Sequence, residues 1–551
     1  MMSSKERFEK LEIFLSAHRG KIAVGSYVLT FLFSLLLFNA RISEGADDSS
    51  YIYAGSKYSK DLFNYFYTNN APLYPLLLSI PIKLFGVKLI LLKCTSLIFY
   101  FFSVFFFFRA LEKRIPYLVL IPSLLFFATS SFLQYYASQT YNEAFFLFLQ
   151  SLFIFYFFKL LDKLKVDSWN ALRQNWRGWL TVGSLAALLS LTKNLGVMIY
   201  PIVILYFLTQ RQWRQASISG GVLIGIRLSL DGLKYLIWGN LSQFAAQSAT
   251  LFNIDPYTPE KGTEDILGIA ERFIGNCKIF LSNRCQQIFG FMNEYYRGLS
   301  VTITFCVIIL FIVALVFLLK EKNKYILFTW LYVGGLVFVS FIVLQHDWAQ
   351  IRMIVIHIPL LLLMISYAVY KLVERVKFGH FIYFSIFIFL LGSPLITSIK
   401  KIGTNYPILI KNLKGDPYYG YTPDWKHFLQ MSKWCADSLP ENAVVVSRKA
   451  AMSFIYGKGK EFFPINRVLF YDPVTNQADP DSVLMYCQQN HLQYFMLASI
   501  RFYPQQKTTE TVNTLEVFLT AFHNKYPDKI VYVRTEGEKD DEPCFLYEIK
   551  Y

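Results

Sequence analysis

The chain of 551 residues is 54% hydrophobic and 18% aromatic, with a mean hydropathy of +0.36 and a formal net charge of +16. Repeated apolar runs near 20 residues exclude a soluble globular protein, because a helix needs about 20 apolar residues to cross the hydrocarbon, and they lack the alternation of barrel strands. The positive charge sits in short loops between those runs, as the positive-inside rule expects, so no nucleic-acid partner is inferred, and the seven cysteines form neither a C-x-x-C pair nor a zinc spacing.

The basic segment 1–21 precedes a first apolar run, Ile22–Phe38, with no A-x-A-like cleavage site after it. An uncleaved first span with a cytoplasmic N-terminus puts the next stretch, 40–72, outside. That stretch holds Glu44, Asp47 and Asp48 within five positions. The run 73–86 is marginal for a crossing, and the charge balance of the next segments makes it a surface or re-entrant helix. Lys88–Phe108 then crosses inward, which places Arg109, Lys113 and Arg114 in the cytoplasm. Tyr117–Tyr136 returns outward, and Glu143 opens the span Ala144–Phe158. Residues 178–208 carry Lys193 at their middle. One long helix would bury that lysine at mid-membrane, at high cost. Two short spans with Lys193 at an outer turn avoid the cost and keep the later basic clusters inside. Span 216–238 contains Arg227 and Asp231, four apart and on one face. The outer loop 239–299 holds Cys277 and Cys285, which could pair if that side is oxidising. Spans 300–319, 325–344, 351–370 and 380–398 bring the expected total to eleven, with His346, Asp347 and Arg352 at an outer turn.

Composition becomes that of a soluble domain towards the C-terminus, so 1–400 reads as a transmembrane domain and 401–551 as an outer-face α/β domain. Thr422-Pro423-Asp424 predicts a helix start with Thr422 as N-cap, the helix running to about Ser438. Asp479-Pro480-Asp481 opens another helix, and 509–524 a third. Strands are predicted at 443–447, 493–498, 529–534 and 544–549.

Glu44, Asp47, Asp48, Glu143, Lys193, His346, Asp347 and Arg352 come from distant parts of the sequence, yet the charge parity sets all of them at one membrane boundary. Carboxylates facing cationic side chains there suit a negatively charged lipid headgroup and an acid–base step. A lipid or sugar transporter or flippase would also place charges along a membrane pathway, but the spans show no internal repeat.

The pattern resembles the C-type (GT-C) integral-membrane glycosyltransferases, in particular the family 39-like branch of aminoarabinose transferases and protein O-mannosyltransferases. The matching stretches are D-D-S-S-Y at 47–51, N-A-P-L-Y-P-L-L at 70–77, S-Q-T-Y-N-E-A-F-F at 138–146, L-T-K-N-L-G at 191–196 and R-M-I-V-I-H-I-P at 352–359. Asn69-Asn70 departs from the His or Lys that relatives often carry before the proline.

The resemblance implies inverting sugar transfer from a polyprenyl-phosphate donor to a lipid, glycan or protein acceptor, at the outer (periplasmic) face of a bacterial plasma membrane. By motif position Asp47 would be the general base, with Asp48 beside it. Glu143 would orient the acceptor or help hold a metal, and Lys193 and Arg352 would face the phosphate. Glu44, Tyr51, Asn70, His346 and Asp347 complete the expected substrate-binding set. The cofactor it implies, if any, is a divalent cation (Mg2+ or Mn2+) on Asp47 and Glu143.

Overall fold

The computed structural model describes residues 4–45, 47–68, 70–164, 166–239, 251–254, 262–293, 298–346, 350–466, 468–472, 477–501, 513–538 and 541–551. The chain divides into two compact units. Unit one comprises Met1–Phe38, Asp61–Tyr74 and Lys93–Tyr406, and unit two Asn39–Lys60, Pro75–Leu92 and Pro407–Tyr551.

Unit one is helical, and its composition is that of a multi-pass membrane protein. Among the described residues seven helices are long and apolar enough to cross: Arg19–Leu36, Leu89–Leu111, Asn142–Lys163, Trp213–Trp238, Val301–Glu321, Lys324–Val343 and Gly379–Leu413. Tyr117–Thr129 and Ser131–Ala137, bent by 55° at Ser130, make an eighth if counted as one span. The remaining expected crossings fall on shorter helices: Trp176–Thr192, the helical stretch Asn194–Thr209 and Ile358–Val373. Helix Leu73–Phe85 has 13 residues, about 20 Å at 1.5 Å each, against the roughly 30 Å of hydrocarbon.

Helix Asn142–Lys163 is the hub of unit one, with 72% of its apolar window buried against 17% for Val301–Glu321, whose Phe305, Ile309 and Ile312 lie bare for lipid. Rings interlock around the hub: Phe157 lies 4.4 Å from Phe328 and stacks on Phe153 at 5.7 Å. Backbone irregularities are repaired by side chains, as an apolar medium requires. Pro122 has no N–H, which frees the carbonyl four residues back, that of Leu118; the Tyr383 hydroxyl donates to it. At the 55° bend the Ser131 N–H donates to Ser398 Oγ at 2.9 Å.

Cys277 and Cys285 are both free thiols, which corrects the suggested disulfide. They lie on the continuous helical segment Ile266–Lys278, Ile279–Arg284, Cys285–Ile288. Eight helical residues separate them by roughly 10–12 Å along the axis, beyond the roughly 7 Å that a disulfide spans.

Unit two is built on a five-stranded sheet with order β2-β1-β5-β7-β6. The strands are β1 Val445–Ser447, β2 Phe463–Pro464, β5 Tyr494–Leu497, β6 Ile530–Glu536 and β7 Cys544–Ile549; β3 Tyr471–Asp472 and β4 Gln477–Ala478 form a separate pair. Strands β2, β1 and β5 run parallel, while β7 is antiparallel to both β5 and β6. Helix Pro423–Ser438 packs on one face through β6 and β7. On the other face Val483 and Cys487 of helix Pro480–Gln489 join Leu515, Phe518, Leu519 and Phe522 of helix Thr514–Lys525 over Val446, Phe495 and Ile549. Asp479 caps its helix, accepting from Ser482 N at 2.8 Å. Thr422 does not cap: its hydroxyl makes no cap bond, and Pro423 at the first helical position fixes the entry φ. Helix Asp47–Lys60 belongs to this unit, and Gly55 lets it lie close to helix Leu73–Phe85: a Cβ there would sit 3.1 Å from Leu78 and Ile82.

Candidate functional site

The polar residues singled out from the sequence fall into two groups, one in each unit.

In unit one, helix Asn142–Lys163 starts at a buried polar turn and helix Trp176–Thr192 ends beside it. Asn142 Nδ2 donates to the Thr192 carbonyl at 2.9 Å. At Lys193 the backbone leaves helical geometry for φ −141°, ψ 137°, so the expected interruption is present. The turn is close: a Cβ on Gly196 would lie 2.4 Å from the Leu189 carbonyl oxygen, which only glycine tolerates. This break aims Lys193 Nζ at Glu143 Oε1, 2.8 Å away, with side chains only 16% and 1% exposed. Glu143 Oε2 is buried and has no hydrogen-bond partner among the described residues. The Arg352 guanidinium sits 5.4 Å above the Tyr141 ring and close enough to act electrostatically on both Glu143 and Lys193. His357, five residues on, is 1% exposed, neighbours Lys193 and has neither ring nitrogen hydrogen-bonded among the described residues.

A further buried cation, which no sequence motif marked, bonds to the residues just before Asn142. Lys93 is fully buried; it donates to the Ser138 carbonyl at 3.1 Å and to Gln139 Oε1. Its signal was a lone lysine in the run Leu89–Phe108, since a charge in an apolar span is costly and seeks partners. His346 is not in the cluster: its Nε2 is 3.4 Å from the Arg272 carbonyl, against Gly275. Asn70 is half-buried in the Asp61–Tyr74 stretch of unit one, and Asp347 lies outside the described residues.

In unit two, Asp47 and Asp48 occupy the first turn of helix Asp47–Lys60, where carboxylates complement the helix dipole. Their surroundings differ. Asp48 is fully buried and accepts from Ser43 N at 3.0 Å, Ser43 Oγ at 2.9 Å and Ser49 N at 2.9 Å. It ties the incoming loop to the helix. Asp47 is half-buried and faces Lys449 electrostatically. Burial pushes the Lys449 ammonium down to about 8, with Arg448 adding to the shift and Asp47 opposing it. Burial raises the Glu44 carboxyl to about 7; Arg41 opposes, Asp424 adds, and Arg501 opposes. Arg41 stacks on the Tyr421 ring at 4.7 Å, and the Tyr421 hydroxyl donates to the Ile42 carbonyl at 2.6 Å. Tyr51 is buried within the helix. Nothing local in the sequence marked Arg41, Tyr421 or Lys449, because the partners lie hundreds of residues apart.

Among the described residues no group of three or more His, Cys, Asp or Glu side chains is arranged to hold a metal ion, so no chemical step is derived through the Mg2+ or Mn2+ considered for Asp47 and Glu143. Neither a protein-family model nor a curated protein matches the chain.

Proposed function

We propose that the chain is a membrane glycosyltransferase that moves a sugar from a polyprenyl-phosphate carrier to an acceptor hydroxyl, with inversion, at the outer face of a bacterial plasma membrane. The observation that carries this reading is the buried Glu143–Lys193 pair with Arg352 beside it, at a break in the apolar helices of unit one. Ionisable groups buried among apolar helices are costly, which makes such a cluster a candidate for function. In unit one, Lys193 and Arg352 take the donor phosphate, whose leaving charge they stabilise, and Glu143 Oε2 takes an acceptor hydroxyl. In unit two, Asp47 takes the role of general base. Asp48 is poorly suited to it, because its oxygens already accept three bonds. A phosphate leaves without protonation, so one carboxylate suffices, and such a base typically contributes about 10²–10⁴-fold.

The same reading takes the shorter helices as completing eleven crossings, with 40–72, 239–299 and 399–551 outside. Single cysteines at Lys400 and Gly379, probed with an impermeant thiol reagent, test it: labelling at 400 and protection at 379 support the topology, and the reverse pattern removes it. The activity is tested by incubating membranes with radiolabelled polyprenyl-phosphate sugars. Label should pass to an acceptor with wild type and not with Asp47→Asn. Translocation of the intact lipid without transfer would make the protein a flippase instead.

A further inference from the structure

Strand β7 alternates over its first four residues. Cys544 and Leu546 are fully buried on one face, while Phe545 and Tyr547 point to the other and stay half-buried. On that second face helix Thr514–Lys525 covers β5, where Phe518 stacks on Phe495 at 6.3 Å. Its cover is incomplete towards β7, and a cleft of about 390 Å³ remains, within the roughly 300–1,000 Å³ of small-molecule sites. Phe545 and Tyr547 form its floor. Its wall is Glu516, Thr520, His523 and Asn524; the first three are spaced four and three apart and so share one helix face, with Asn524 at its edge. His523 and Asn524 are exposed and make no side-chain hydrogen bond among the described residues. No lysine or arginine lines the cleft among the described residues.

That composition discriminates between ligands. An anion would meet the Glu516 carboxylate with no lysine or arginine among the described residues to hold it. A purely apolar ligand would strip water from four polar side chains and return nothing to them. A neutral polyol ring satisfies both surfaces, laying its C–H face on the aromatic floor and its hydroxyls against a carboxylate, a hydroxyl, an imidazole and an amide. We propose that this cleft binds the sugar rings of a neutral glycan. Binding there needs no turnover, so the proposal stands or falls separately from the transferase reading.

The test uses full-length protein in detergent micelles and saturation-transfer NMR with four probes: maltotriose, cellotriose, mannotriose and N-acetylchitotriose. At least one should receive saturation at millimolar concentration. Thr520→Ala/Asn524→Ala, both exposed and outside the core, should weaken it about tenfold through lost hydrogen bonds. Tyr547→Leu should also weaken it, and Tyr547→Trp should preserve it, with the circular dichroism of each variant matching wild type. Three results would overturn the proposal: no saturation of any of the four, binding indifferent to the cleft substitutions, or displacement of the bound trisaccharide by sialyllactose or a tripeptide at equal concentration.

Discussion

Removing the charge of Glu143 is the sharpest test of the cluster in unit one. Glu143→Gln keeps the side-chain volume, so no cavity forms, but Lys193 loses its ion-pair partner and Arg352 a carboxylate it acts on electrostatically. Breaking a buried pair from one side costs about 3–5 kcal/mol, roughly 10²–10⁴-fold in the unfolding equilibrium. Lys193→Met should cost about 1–2 kcal/mol less than Glu143→Gln, because Arg352 remains to compensate the carboxylate. The double variant Glu143→Gln/Lys193→Met should recover more than half of the larger loss, since it leaves one cation beside a neutral amide. Equilibrium unfolding in mixed micelles of increasing SDS fraction, followed by tryptophan fluorescence, measures all three, and the double-mutant cycle isolates the coupling. Additive losses, or a Glu143→Gln cost below about 1 kcal/mol, would show that the pair is effectively solvated and would remove the electrostatic argument.

Asp48→Asn should destabilise unit two by about 2–3 kcal/mol, because an amide replaces one acceptor oxygen among three donors, whereas Asp47→Asn should stay within about 0.5 kcal/mol; thermal melts of both variants check this. Glu44 gives a pH signature. Its folded value near 7 stands above the ordinary 4.5, so the folded state binds the extra proton and stability falls as pH rises through that window, by about 1–3 kcal/mol, then levels off; Glu44→Gln should flatten the melting-temperature profile between pH 5 and 7, and an unchanged slope would remove Glu44 as the cause. Gly196→Ala places a methyl 2.4 Å from a backbone oxygen that cannot step aside, and should cost at least about 2 kcal/mol and loosen the Lys193 turn, seen as faster proteolysis.

How much was legible follows the range of the forces involved. Strand β7 fell on 544–549 as expected, and the helix after Asp479 started as expected, because alternation and capping act within a few residues. The interruption at Lys193 was legible because one lysine in 30 apolar residues forces it. The weak points were long-range. The Lys93 contacts cross 45 and 46 residues, and the tie between Tyr421 and Ile42 crosses 379. No local pattern encodes a partner at that distance. The sequence also marked Asp47 and Asp48 as equals but for motif position, whereas Ser43 separates their chemistry by claiming one of them.

The bend at Ser130 has a consequence for biogenesis. The amide of Ser131 is satisfied by a hydroxyl made 267 residues later in the chain. Until helix Gly379–Leu413 has left the ribosome and entered the bilayer, that amide lacks this partner, which costs several kcal/mol wherever no water reaches it. The carbonyl of Leu118 waits in the same way for Tyr383. The early segment therefore resides in the membrane as an unfinished helix throughout most of synthesis, open to water, to the insertion machinery or to a membrane chaperone. Truncations that end before Gly379 should accumulate in that state and be cleared by quality-control proteases, even though every element they contain is already made.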